Sequence, residues 1–344
     1  MPTVWLCHGR DIRLPLCPTA TQNESTDMSD HFMKPDVAAF LTFLNAQPGP
    51  KMHEMSVEDA RMSMVILGSL AEADLGSLAV VRDLSIPGPA GNIPARLYDA
   101  QESRGAGPVM VFYHGGGFTI GDLEVYGPYC AEAARQLDMP VISIDYRLAP
   151  EHRFPGAAVD CEAATRWIAG SPAELGLKVT GLVTSGDSAG GNLTIVTTMA
   201  LRDNPAAVPV LVQHPIYPVV SDSADWQSMR DFADGYLLTA DSMAYFTAAY
   251  QADGDDYRGA PLKFDHTGMP PSLVTTASLD PLRDQGIAYV EALKAAGVRV
   301  EYRSAEGNIH GHITLRKAIP SAQEDVTGNF STLKELLAEV MART

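Results

Sequence analysis

The sequence predicts an α/β fold: a mostly parallel, eight-stranded sheet with helices on both faces and a helical cap. Three observations carry the expectation. Eight short apolar or alternating runs have strand character, and most of those from the third onward are separated by helix-like stretches. One connection between two strands is much longer than a single crossover needs. At 344 residues, 46% of them apolar and 19% charged, the chain can bury one large α/β core with an accessory part.

Residues 1–30 read as a loose N-terminal extension, polar from 21 to 30, with Met28 and Met33 as candidate internal starts. Residues 31–78 read as N-terminal cap helices. Pro35 to Leu44 begins on a proline suited to a first helical turn, and Ser56 to Leu75 opens with Ser56 and Asp59 in the spacing of a capping box. The period then shortens. Strands are expected at Val80–Ile86, Ile93–Tyr98, Val109–Tyr113, Val141–Ile144, Leu182–Ser185, Val208–Gln213, Ser272–Leu279 and Val298–Ser304. Helices are expected at Tyr129–Leu137, Ala157–Ile168, Ala189–Arg202, Asp284–Ala296 and Ser331–Met341. Residues 79–220 and 264–344 would form the main domain, and 221–263, rich in Asp and aromatics around a helix at Ala240–Tyr250, a cap insertion.

Acidic residues outnumber basic ones by 42 to 25, giving a net charge of -17, so nucleic acid is not an expected partner. The cysteines Cys7, Cys17, Cys130 and Cys161 have no metal-like spacing, and the last two fall in apolar helical patterns as buried thiols. Cys7 and Cys17 are near enough for a disulfide, but Met1 to Ala20 lacks the basic and apolar regions of a secretory signal. With no stretch apolar enough to span a bilayer, the expectation is a cytoplasmic protein with no membrane partner.

The strongest local signal is Gly186-Asp187-Ser188-Ala189-Gly190, which follows an apolar strand and opens a helix, the context a GxSxG turn requires. Its glycines allow a sharp turn that leaves the Ser188 hydroxyl exposed, and the helix N-terminus favours developing negative charge. A second signal, His114-Gly115-Gly116-Gly117-Phe118, ends the strand Val109–Tyr113. Its bare backbone N–H groups, with that of Ala189, would form an oxyanion hole.

These two segments, with Asp145-Tyr146-Arg147-Leu148-Ala149-Pro150-Glu151-His152 and Asp280-Pro281-Leu282-Arg283-Asp284, resemble the bacterial hormone-sensitive-lipase-like esterases, family IV, of the α/β-hydrolase fold in their GDSAG branch. The matches run in the family's order over roughly residues 80 to 320. The resemblance implies Gly116, Gly117 and Ala189 as oxyanion donors, a helical cap, no metal or organic cofactor, and small-molecule esters of short to medium acyl chains as substrates. A homodimer through the sheet edge is also implied.

The fold requires the order serine, acid, histidine. Asp280 ends the strand Ser272–Leu279, whereas Asp284 starts the next helix and reads as its N-cap, so Asp280 is the acid. Spacing leaves His310 and His312 both open as the base. The family's usual His-Gly-Phe matches His310-Gly311-His312, which implies His310 and puts a histidine where phenylalanine is common. The expected mechanism is acyl transfer through Ser188, His310 and Asp280. Asp145, Arg147 and Glu151 read as scaffolding, and Asp187 as a motif residue. Phe118, Tyr217, Leu237, Leu238 and Ile309 are candidates for the substrate pocket. The same machinery would serve a lactonase, amidase or deacetylase, and a non-catalytic ligand-binding receptor on this scaffold is the alternative of another class.

Overall fold

The computed structural model describes residues 31–343; the expected N-terminal extension, with Cys7 and Cys17, lies outside them. The strands are β1 (Val80–Gly88), β2 (Gly91–Asp99), β3 (Gly107–Tyr113), β4 (Val141–Ile144), β5 (Val179–Asp187), β6 (Val210–Ile216), β7 (Ser272–Leu279) and β8 (Val300–Ile309). They form one eight-stranded sheet in the order β1-β2-β4-β3-β5-β6-β7-β8. The first two strands make an antiparallel hairpin, β2 pairs antiparallel with β4, and the rest are parallel.

The helices are α1 (Pro35–Asn45), α2 (Val57–Ala71), α3 (Leu123–Leu137), α4 (Gly156–Ala169), α5 (Ala189–Asp203), α6 (Gln227–Asp231), α7 (Ala240–Tyr250), α8 (Arg283–Ala295) and α9 (Ala322–Met341). The two-residue period of a strand sorts β3 onto both faces. Val109, Val111 and Tyr113 join Cys161, Ala164 and Ile168 of α4 and Leu193 and Val196 of α5 in one buried cluster. Met110 and Phe112 join Tyr129 and Cys130 of α3 and Phe330 and Leu333 of α9 in another. Such two-sided burial explains the continuous apolar run of a central parallel strand.

Several boundaries differ from expectation for local reasons. Helix α3 begins six residues before Tyr129, at Leu123, because the Asp122 carboxylate accepts from the N–H groups of Glu124 and Val125 at 3.0 and 2.8 Å and caps it ahead of Pro128. Glu306-Gly307-Asn308, beyond the strand end expected at Ser304, continue β8. A register irregularity opposite Ala277 and Leu279 absorbs Gly307, whose N–H donates to Ser278 Oγ at 2.7 Å. Asp284 is not the N-cap of α8; it lies in the first turn, and its carboxylate accepts from the Ser228 N–H at 2.8 Å, tying α6 to α8.

The N-terminal helices are fastened to the main sheet. Ser56 caps α2 by accepting from the Asp59 N–H at 3.1 Å. Within α2, Arg61 makes a two-pronged ion pair with Glu151, both distances 2.8 Å, and donates to the carbonyls of Thr119 and Ala149. Just past its C-terminus, buried Glu72 is paired with buried Arg316, whose backbone N–H also donates to it at 2.9 Å. Arg147 likewise holds Asp160, at 2.7 and 2.8 Å, so the charged residues Arg147 and Glu151 pin loops. No described helix is long and apolar enough to cross a membrane.

Candidate active site

Four parallel strands deliver the site at their C-terminal ends, where open α/β sheets hold their ligands. Strand β5 runs into Gly186 and Asp187, and Ser188 follows as the N-cap of α5 with φ 57° and ψ -116°. A serine in this region is strained, and the surroundings must hold it. They do so through the backbone: the Ser188 N–H donates to the Ile216 carbonyl at 2.9 Å, and the Ser188 carbonyl accepts from Val219 and Asn192. The flanking glycines are a matter of space. A Cβ at Gly190 would collide with the carbonyl of Tyr113, and one at Gly186 with the carbonyls of Gly190 and Tyr113.

His310 follows the last residue of β8, and Asp280 the last residue of β7. The imidazole spans the other two side chains, with Nε2 2.9 Å from Ser188 Oγ and Nδ1 2.8 Å from Asp280 Oδ2. Because the Asp280 carboxylate accepts, Nδ1 carries the hydrogen and Nε2 is left with a lone pair facing the serine hydroxyl. The other Asp280 oxygen accepts from the Leu282 N–H at 2.8 Å, which fixes the carboxylate's orientation. Asp280 is fully buried, and Ser188 and His310 are each 8% exposed, so the run of hydrogen bonds is sealed at its Asp280 end.

His312 stands elsewhere. Its Nδ1 lies 3.0 Å from the Ile309 carbonyl and its ring meets Tyr217 edge-on, so of the two histidines left open by spacing it is His310 that reaches Ser188. Burial pushes His312 down to about 4, against the opposing pull of Asp325. His114 is pushed down to about 4 and His214 to about 3, again by burial. An unfolded histidine protonates near 6.5, so between 6.5 and about 4 the unfolded chain binds the proton that native His312 refuses. The stabilisation this gives is full above 6.5 and is lost as pH falls toward 4. Replacing His312 with phenylalanine is therefore expected to narrow the drop in melting temperature between ~pH 7 and ~pH 4.5. Thermal melts at the two pH values, with an unchanged drop, would rule this out.

On the opposite side of Ser188 lies the glycine loop. Gly116 and Gly117 adopt φ 113° and 59°, the left-handed region that suits glycine. The Ala189 N–H, first in α5, has no intrahelical acceptor. The loop is held by Asp187, whose carboxylate accepts from the Gly115 N–H at 2.7 Å and from the hydroxyls of Tyr126 and Tyr217 at 3.1 and 3.3 Å. Burial pushes the Asp187 carboxyl up to about 6, opposed by His310 and these donors. The sequence marked Asp187 only as part of a motif; what it could not reveal is that a residue next to the serine fixes a loop 72 positions away. His114 completes the support, with Nδ1 2.8 Å from the Gly115 carbonyl and its ring stacked on Tyr146.

A cavity of about 780 Å³ opens from Ser188, His310, Gly116 and Gly117. Phe118, Leu237 and Leu238 line it. Tyr217 and Ile309, also expected there, do not. Tyr217 turns its ring against His310 at 4.5 Å between centroids and its hydroxyl to Asp187, while Ile309 is fully buried with Phe232, Tyr236 and Leu279. Further walls include Met64 and Leu67 of α2 and Met243 and Phe246 of α7, which no sequence motif announces.

Residues 110–314 match the α/β-hydrolase fold family. The carboxylic ester hydrolase LipN of Mycobacterium tuberculosis is 43% identical over 245 residues, 68% of this chain, and the chain spans 65% of that relative's length. An ethyl acetate hydrolase of Pseudomonas putida is 33% identical over 322 residues, covering 89% of this chain and 99% of the relative. Among solved structures, an α/β-hydrolase from the metagenome of Lake Arreo, Spain, superposes with a TM-score of 0.84 at 34% identity, covering 88% of this chain and 98% of its own. A thermostable esterase from Pseudomonas putida gives 0.83 at 28% identity over 89% and 98%. With a family match over more than half of its residues and relatives at 43% and 33% identity, the chain belongs to the α/β-hydrolase fold family, within which it fits the hormone-sensitive-lipase-like, family IV esterases.

Proposed function

We propose that the protein is a carboxylesterase that hydrolyses short- to medium-chain acyl esters through an acyl-enzyme on Ser188. The observation that carries this reading is the unbroken run of hydrogen bonds from Ser188 Oγ through His310 to Asp280, beside glycine N–H groups and at the foot of an apolar cavity. His310 Nε2 takes the serine proton as Oγ attacks the ester carbonyl carbon. The oxygen that gains charge is met by the N–H groups of Gly116, Gly117 and Ala189, each worth about 2.7 to 4 kcal/mol if lost. His310 then gives the proton to the leaving alcohol, water enters, and the same imidazole drives release of the acid. Asp280 holds the tautomer and stabilises the imidazolium in both halves.

Residues 31–78 and 221–263 form the cap in this reading, since both segments supply cavity walls over the serine. The proposal extends to a homodimer, for which β8 is an outer strand of the sheet, and to a cytoplasmic setting, in keeping with the free thiols of Cys130 and Cys161.

The test is a series of p-nitrophenyl esters of increasing acyl length, with an acyl lactone and an anilide alongside. The expected outcome is a kcat/KM that peaks at short to medium linear acyl groups and exceeds that for the anilide. A clear preference for lactone or anilide would replace the ester reading, and a folded protein that turned over none of them would leave a binding role.

A further inference from the structure

Helix α7 lays two aromatic rings on the glycine loop, one helical turn apart. Tyr250 stacks on Phe118 at 3.9 Å between centroids and 10° between planes, is itself buried, and meets Phe154 edge-on. The Phe154 N–H donates to the Tyr250 carbonyl at 3.0 Å, so this end of α7 is fixed from two directions. Phe246 is half-buried, lines the cavity, and lies so close over Gly117 that any Cβ at 117 would run into its ring carbons. Position 117 thus needs glycine for its φ of 59° and again for the ring above it.

Given the esterase reading, an ester bound for attack must point its carbonyl oxygen at the glycine loop and its leaving oxygen at His310 Nε2. The turn beside His310 faces a different residue: Leu237 would touch a Cβ at Gly311 at 3.5 Å. Phe246 touches the glycine loop instead and lines the same cavity, away from the turn that carries His310, which sets its ring on the acyl side of the bond to be broken. A methylene lies flat against an aromatic ring. A quaternary carbon turns a methyl group toward the ring in every rotamer.

We propose that Phe246 is a specificity-determining residue that confines this cavity to esters whose acyl chain is unbranched next to the carbonyl. The proposal rests on the carboxylesterase reading and goes further by naming the substrate class: linear acyl esters, with α-branched acids excluded by one ring on α7.

The experiment compares wild type, Phe246→Ala and Phe246→Leu on p-nitrophenyl butyrate and p-nitrophenyl trimethylacetate. The quantity read is the kcat/KM of the branched ester divided by that of the linear one, within each protein. One methyl-sized volume in an apolar pocket discriminates by about tenfold or more. The ratio is therefore expected to rise about tenfold or more in Phe246→Ala and by less in Phe246→Leu, which keeps an apolar side chain on α7 and guards against its collapse. If the ring only supports α7, both esters slow together and the ratio stays put in both variants, which overturns the proposal. Failure of the wild type on both esters is a separate result: it overturns the esterase reading and this proposal with it.

Discussion

Ser188→Ala is expected to lower kcat on p-nitrophenyl butyrate by at least about 10⁴-fold while KM moves little. In the proposed reaction the hydroxyl bonds the acyl carbon, and His310 Nε2 is already 2.9 Å away to receive its proton. Without it, the glycine loop and α5 still present their N–H groups, so binding survives and chemistry does not. His310→Ala should fall as far, and the double variant no further, because nucleophile and base act as one unit. A fluorophosphonate that labels wild type and not Ser188→Ala would complete the picture. Near-parental turnover in either single variant would refute the assignment.

The next largest effect is expected at a buried ion pair outside the triad. Glu72 and Arg316 are 4% and 5% exposed, and Arg316 Nε donates to Glu72 Oε1 at 2.6 Å while its backbone N–H donates to Oε2. Burial pushes the Glu72 carboxyl up, and Arg316 pulls against that shift. Neither charge can be left alone in such surroundings. Arg316→Met should cost roughly 3 to 5 kcal/mol of folding free energy, because it leaves Glu72 buried without a counterion. Pairing it with Glu72→Leu should restore most of the loss, since two apolar groups of similar size need no partner there. Urea unfolding of the three proteins measures this; a double variant as unstable as Arg316→Met would mean that packing, not unpaired charge, sets the cost.

How much of this was legible beforehand follows from where each constraint is written. Glycines 186, 190, 116 and 117 could be read because they answer to backbone geometry, which shows in the residue type itself. Ser188 and Asp280 could be read because each ends a strand whose apolar run is visible. The choice between His310 and His312 could not be made from spacing, since both follow the same strand; the structure separates them by a tight turn that sends one ring to Ser188 and the other to the Ile309 carbonyl. Tyr217 and Ile309 show the opposite failure. An apolar or aromatic type says that a residue is buried, not which side of a strand end it faces, and both face inward. Phe246 lies in a helix whose pattern was plain, yet its meeting with Gly117 is a contact across 129 positions that no local pattern encodes.

Helix α2 has a consequence for where the reactive centre begins. Near one end Arg61 grips the loops that follow β3 and β4, and at the other Glu72 grips the chain six residues beyond His310. The helix is a splint between the part that carries the glycine loop and the part that carries the His310 imidazole. A chain cut before its first strand would keep every residue of the reaction and lose the brace that sets their spacing.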